Sequence, residues 1–81
     1  MSRNASQSLS IVVPVYNEED NIYPLVDRVH HALQAYAHPW ELIIVDDGSS
    51  DATWQRLEEA RERFGDHVRA FELNRNFGQT A

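Results

Sequence analysis

Two short runs, residues 9–15 and 42–45, are apolar almost throughout and rich in β-branched side chains. A strand with one solvated face alternates polar and apolar residues, whereas a parallel strand covered by helices on both faces reads as a near-continuous run. The two runs therefore predict buried parallel strands. Pro14 closes the first, where a missing N–H does least harm. Between them Ile22, Leu25, Val26, Val29, Leu33 and Tyr36 recur at helical spacing, with Asp20 or Asn21 placed to cap the start. Pro24 falls in the first turn and His38-Pro39 closes the segment. A second helix follows Asp51, with Trp54, Leu57, Ala60 and Phe64 as its buried stripe and Gly65 beyond its end. Residues 68–73 read as a third, less apolar strand, and a further helix is expected to begin after Gly78. The predicted fold is α/β: half of a doubly wound, Rossmann-like parallel sheet, βαβαβ plus the start of a third helix. Right-handed crossovers give the strand order 3-2-1. Residues 1–8 form a polar arm and residues 9–81 the domain.

Charge and residue usage narrow what such a half sheet can do. The net charge of −6 argues against a nucleic-acid backbone as partner. Each of the seven side-chain cations other than histidine is an arginine, so neither a P-loop lysine nor a Schiff-base lysine exists in this segment. The lack of cysteine excludes disulfides, thiolate zinc sites and a cysteine nucleophile, and it fits a reducing compartment. The start is not a signal peptide, and no run approaches the roughly 20 apolar residues that span a bilayer. A cytoplasmic location is expected.

In open α/β sheets ligands bind at the carboxyl ends of the strands. The unusual residues of this chain fall at three such ends: Pro14-Val15-Tyr16-Asn17-Glu18-Glu19, Asp46-Asp47-Gly48-Ser49, and Asn74-Arg75-Asn76-Phe77-Gly78. Adjacent residues of an extended segment point to opposite faces, so Asp46 and Asp47 are not expected to clamp one metal. Either carboxylate can accept hydrogen bonds from uracil or guanine, or instead staple the loop that follows. Tyr16 can stack on a base. Asn17 and Glu18 can shape the turn or touch the ligand. Arg75 suits a diphosphate or a surface ion pair, and Gly78 permits either close phosphate approach or a tight turn. His30 and His31 lie about 100° apart on a helix, which disfavours a joint metal site.

These motifs, with Ile43-Ile44-Val45 before the aspartates, Ser50-Asp51 after Ser49 and Arg75-Asn76-Phe77-Gly78 at the third end, resemble family 2 of the inverting glycosyltransferases, which have the GT-A fold. Within it the chain is most similar to enzymes that move a sugar from UDP or GDP onto a polyprenyl phosphate, such as dolichol-phosphate mannosyltransferases and undecaprenyl-phosphate sugar transferases. The resemblance implies a nucleotide-sugar donor and a lipid-phosphate acceptor, with the parent at the cytoplasmic face of a membrane. It also implies that the positions of Pro14, Tyr16 and Asp47 hold the nucleoside. A divalent cation, Mg²⁺ or Mn²⁺, is implied too, bound largely through an Asp-x-Asp element after a fourth strand. No such element occurs in this sequence. The acceptor site and any catalytic base are expected beyond Ala81, so this segment alone is expected to be inactive.

Three other readings compete. A receiver-type signalling domain also carries paired aspartates at a strand end, but it needs a lysine that this chain lacks. A dinucleotide-binding domain needs Gly-x-Gly-x-x-Gly after the first strand, where this chain has Val15-Tyr16-Asn17-Glu18. A non-catalytic nucleotide-binding module of the same fold would lack the downstream Asp-x-Asp in the whole gene. In the family's sheet the first strand is central. Its open edge here, together with exposed helix stripes, predicts self-association of the segment as a two-fold dimer.

Overall fold

A computed structural model describes residues 8–73, so the helix expected after Gly78, and Arg75 and Gly78 themselves, lie outside the described residues. Strand β1 (Leu9–Val15) leads to helix α1 (Ile22–Leu33), strand β2 (Trp40–Asp46), helix α2 (Thr53–Phe64) and strand β3 (Val68–Glu72). The three strands are parallel in the order β1-β2-β3, as the sequence predicts. Leu9 pairs with Trp40 and Val15 with Asp46; on the other side of β2, Leu42 pairs with Val68 and Asp46 with Glu72.

Two consecutive right-handed crossovers put both helices on one side of the sheet. Ile22 and Val26 of α1 and Leu57 and Ala60 of α2 are fully buried there against Leu42 and Ile44. Ile11, Val13 and Val15 extend this core along β1. The near-continuous apolar runs predicted cover on both faces. Among the described residues only the helix side is covered, and Val12 (61% exposed) and Phe71 (45% exposed) lie open on the other.

Backbone polarity explains where proline is tolerated. Leu9 N–H donates to the Pro39 carbonyl at 3.0 Å and the Val15 carbonyl accepts from Asp47 N–H at 2.9 Å, so odd-numbered residues of β1 face β2. Pro14 faces the outer edge, where its missing N–H breaks no bond of this sheet.

Helix α1 ends at Leu33, short of the Tyr36 that its periodicity suggested. Its last turn tightens instead: Gln34 N–H reaches the His31 carbonyl and Tyr36 N–H the Leu33 carbonyl, three residues back in each case. The chain then reverses into β2. Asn21 holds the N-cap position but makes no side-chain cap bond; its amide donates to Glu18 Oε1 at 2.7 Å. Helix α2 ends as expected at Gly65, whose φ of 107° would strain any residue with a side chain.

Candidate functional site

The carboxyl ends of β1 and β2 emerge side by side, and the loops that follow are tied to each other by hydrogen bonds. Asn17 sits at φ 51°, in the left-handed region that asparagine tolerates better than most residues. Its N–H donates to Ser49 Oγ at 2.7 Å, while its own Oδ1 accepts from Ser50 N–H at 2.9 Å. One turn further, Glu18 N–H donates to Thr53 Oγ1 at 2.8 Å, and Glu19 Oε1 accepts from Ala52 N–H at 2.8 Å. Asp51 Oδ1 accepts from both the N–H and the hydroxyl of Thr53, at 2.9 and 2.5 Å. The Thr53 hydroxyl, and then the Thr53 and Glu19 amides, hold the Asp51 carboxyl below the usual carboxylate range despite an opposing contribution from burial.

This clasp decides where an anion can bind. The start of a helix offers unpaired N–H groups to a phosphate. Here Ser49, Ser50, Ala52 and Thr53 each donate their N–H to a side-chain oxygen of the chain, three of those oxygens being carboxylates, of Asp46, Glu19 and Asp51. The first two N–H groups at the amino end of α2, those of Ala52 and Thr53, therefore already have carboxylate acceptors within the chain.

Asp46 and Asp47 differ in burial. Asp46 ends β2 on the helix side and is fully buried. Its Oδ1 accepts from Ser49 N–H at 3.0 Å and Ser49 Oγ at 2.6 Å, which makes it the staple of the following loop. Its Oδ2 is buried with no hydrogen-bond partner among the described residues. Asp47 is only half buried, and its N–H bond to the Val15 carbonyl sets it beside Tyr16, which is 55% exposed. Pro14 is exposed on β1, two residues before Tyr16.

The structure thus brings Pro14, Tyr16, Asn17, Glu18, Asp46 and Asp47 together at one end of the sheet. The side chains of Asn17, Glu18 and Asp46 are engaged by the chain itself. Sequence reasoning allowed Asp46 or Asp47 to staple the following loop but missed the part that Glu19 and Thr53 play in holding it. The signal for Thr53 was present: a threonine two residues after an aspartate, at the start of an apolar period, suits a local side-chain turn. Nothing in the sequence announces that Glu19 reaches Ala52.

Among the described residues no group of three or more His, Asp or Glu side chains could hold a metal ion. Asp46 is buried with one oxygen committed to Ser49, while Asp47, just past the end of β2, is half buried. The described residues do not make a divalent-cation site. No described helix is long and apolar enough to cross a membrane. Two clefts lie elsewhere, one of about 820 Å³ between α2 and β3 and one of about 400 Å³ beside Trp40 and His67; neither borders Tyr16 or Asp47.

A family model described as glycosyl transferase family 2 matches residues 10–81. The chain is 54% identical over 76 residues to a dodecaprenyl-phosphate galacturonate synthase of Rhizobium johnstonii, covering 94% of this chain and 22% of that protein. It is 45% identical over 73 residues to an undecaprenyl-phosphate 4-deoxy-4-formamido-L-arabinose transferase of Pectobacterium carotovorum, covering 90% of this chain. A protein of the same description from Pseudomonas fluorescens is 48% identical over 73 residues, again with 90% of this chain covered. The chain spans 22% of the length of each of these relatives. Parallel strands in the order β1-β2-β3, paired aspartates at the end of β2 and a family match over nearly the whole sequence agree: the chain belongs to glycosyl transferase family 2.

Proposed function

We propose that the protein carrying this chain transfers a sugar from a UDP- or GDP-sugar to a polyprenyl phosphate, with inversion, and that residues 8–73 supply part of the nucleoside site. Membership of the family and the polyprenyl-phosphate names of the relatives support the reaction class. One observation carries the site assignment: the Asp47 N–H to Val15 carbonyl bond, which sets a half-buried carboxylate next to an exposed tyrosine. Tyr16 offers a planar face to a base, Asp47 an acceptor for an imino N–H, and Pro14 a rigid edge. Asn17, Glu18 and Asp46 serve the same site by holding its loops. Arg75 and Gly78 are assigned to the diphosphate.

A divalent cation, Mg²⁺ or Mn²⁺, would find its ligands mostly beyond residue 81. The acceptor would place the protein at the cytoplasmic face of a membrane. The alternative, a non-catalytic module of the same fold, predicts nucleotide binding without sugar transfer.

Calorimetry of the full-length protein with UDP and with GDP tests the nucleoside assignment. One of the two is expected to bind, and Asp47→Ala is expected to weaken it by about 1–3 kcal/mol, the loss of a charged hydrogen-bond partner. Unchanged affinity with a lowered melting temperature would make Asp47 a structural staple. The open outer edge of β1 leads to a second proposal, that residues 1–81 alone self-associate as a dimer. A monomer in sedimentation at high micromolar concentration would sink it.

A further inference from the structure

Thr53 is the first residue of α2 and has no exposed surface. A buried threonine at a helix start is ordinarily satisfied by its own helix, through its hydroxyl and a nearby carbonyl or amide. Here the hydroxyl instead joins three segments. It accepts from Glu18 N–H, 35 residues earlier in the chain, and donates to Asp51 Oδ1. Asp51 Oδ2 in turn lies 3.4 Å from Glu19 N–H. The segment leaving β1 past Tyr16 is thereby fixed to the segment leaving β2 past Asp47.

We infer that the Thr53 hydroxyl is a positioning group for nucleotide binding: beyond the Asp47 N–H to Val15 carbonyl bond that sets Tyr16 beside Asp47, it holds the Tyr16 loop in that place without touching the ligand. The inference rests on the nucleoside assignment above and extends it to a buried residue outside that site. The loop bearing Tyr16 bends through a left-handed residue, Asn17, directly before Glu18. Tyr16 itself is 55% exposed. On the far side of Tyr16 from β1 the nearest anchors are the bonds at Asn17 and Glu18, and of their two acceptors Thr53 Oγ1 is the fully buried one. Loss of that acceptor frees the Glu18 N–H in a half-buried place, and the loop must shift to hydrate it. A stacking residue displaced by an ångström loses most of its alignment with the base.

The test compares Thr53→Val with Thr53→Ser in the full-length protein, with UDP and GDP as probes in calorimetry and Asp47→Ala as reference. Valine keeps the shape and removes the hydroxyl; serine keeps the hydroxyl. Thr53→Val is expected to raise the nucleotide Kd about tenfold, and Thr53→Ser to restore it to within about twofold. The donor KM is expected to rise with kcat unchanged, a split that general destabilisation does not produce. Should the valine variant not melt cooperatively, Thr53→Ala against Thr53→Ser reads the same contrast, alanine being well tolerated in a helix. If a folded variant without the hydroxyl binds as tightly as the parent while Asp47→Ala binds weakly, the positioning role is wrong and the nucleoside assignment stands. If neither change affects binding, both fall.

Discussion

The two ends of the sheet are held together by different physics. At the carboxyl ends, the loops after β1 and β2 are stitched by directional hydrogen bonds from backbone N–H groups to Asn17, Glu19, Ser49, Asp51 and Thr53. At the amino ends, rings do the work. The Trp40 and His67 ring centres are 4.5 Å apart, His30 lies 5.4 Å from Phe64, and His67 Nε2 stands 3.4 Å from His30 Nδ1. Ring packing tolerates small slips because dispersion varies gently with position. A hydrogen bond weakens steeply once its angle closes. The end to which the nucleoside site is assigned is the end with the steep restraints.

The contrast can be broken from either side. Trp40→Ala removes the largest ring of the amino-end cluster and is expected to lower stability by about 3 kcal/mol, the low end for a large aromatic because Trp40 is only half buried. Nucleotide affinity of the folded variant should stay within about twofold, since distant sites add independently. A parallel loss of affinity in calorimetry would mean that the two ends act as one unit. Smaller, and at the other end, Asn17→Ala removes an acceptor for Ser50 N–H and puts at φ 51° a residue that tolerates the left-handed region less well than asparagine. Denaturant unfolding should show a loss of about 2 kcal/mol, the sum of the left-handed strain and one hydrogen bond. Asn17→Gly keeps only the second term and should cost about 1 kcal/mol. Equal costs for alanine and glycine would show that the backbone angle there carries no strain.

Much of the architecture was legible along the chain. The strand at Leu9–Val15 matches its apolar run residue for residue, and α2 runs from just after the Ser49-Ser50-Asp51 turn to Gly65, as its stripe and turn chemistry indicate. The overestimate of α1 has a local cause. Tyr36 continues the spacing, but the bonds to Leu33 and His31 close the helix before the spacing runs out. The strand ends also identified the loops of interest, because Pro14, Tyr16, Asp46 and Asp47 are residue types that an ordinary β–α connection does not need.

What the sequence by itself determined is therefore whatever depends on neighbours within a turn or along a strand: the five elements, their parallel order, the glycine at the end of α2, and the loops that gather at one end. Only the tertiary structure decided how the side chains in those loops are employed. Asp46 and Asp47 are adjacent and chemically identical, yet one is buried against Ser49 and the other stands half open beside Tyr16. Glu19 and Ala52, and Glu18 and Thr53, meet only because two right-handed crossovers set β1 and β2 side by side. A hydrogen bond between residues more than thirty positions apart leaves no periodicity in the sequence. Its existence is fixed by where the backbone folds back, and its function by what that fold places within three ångströms.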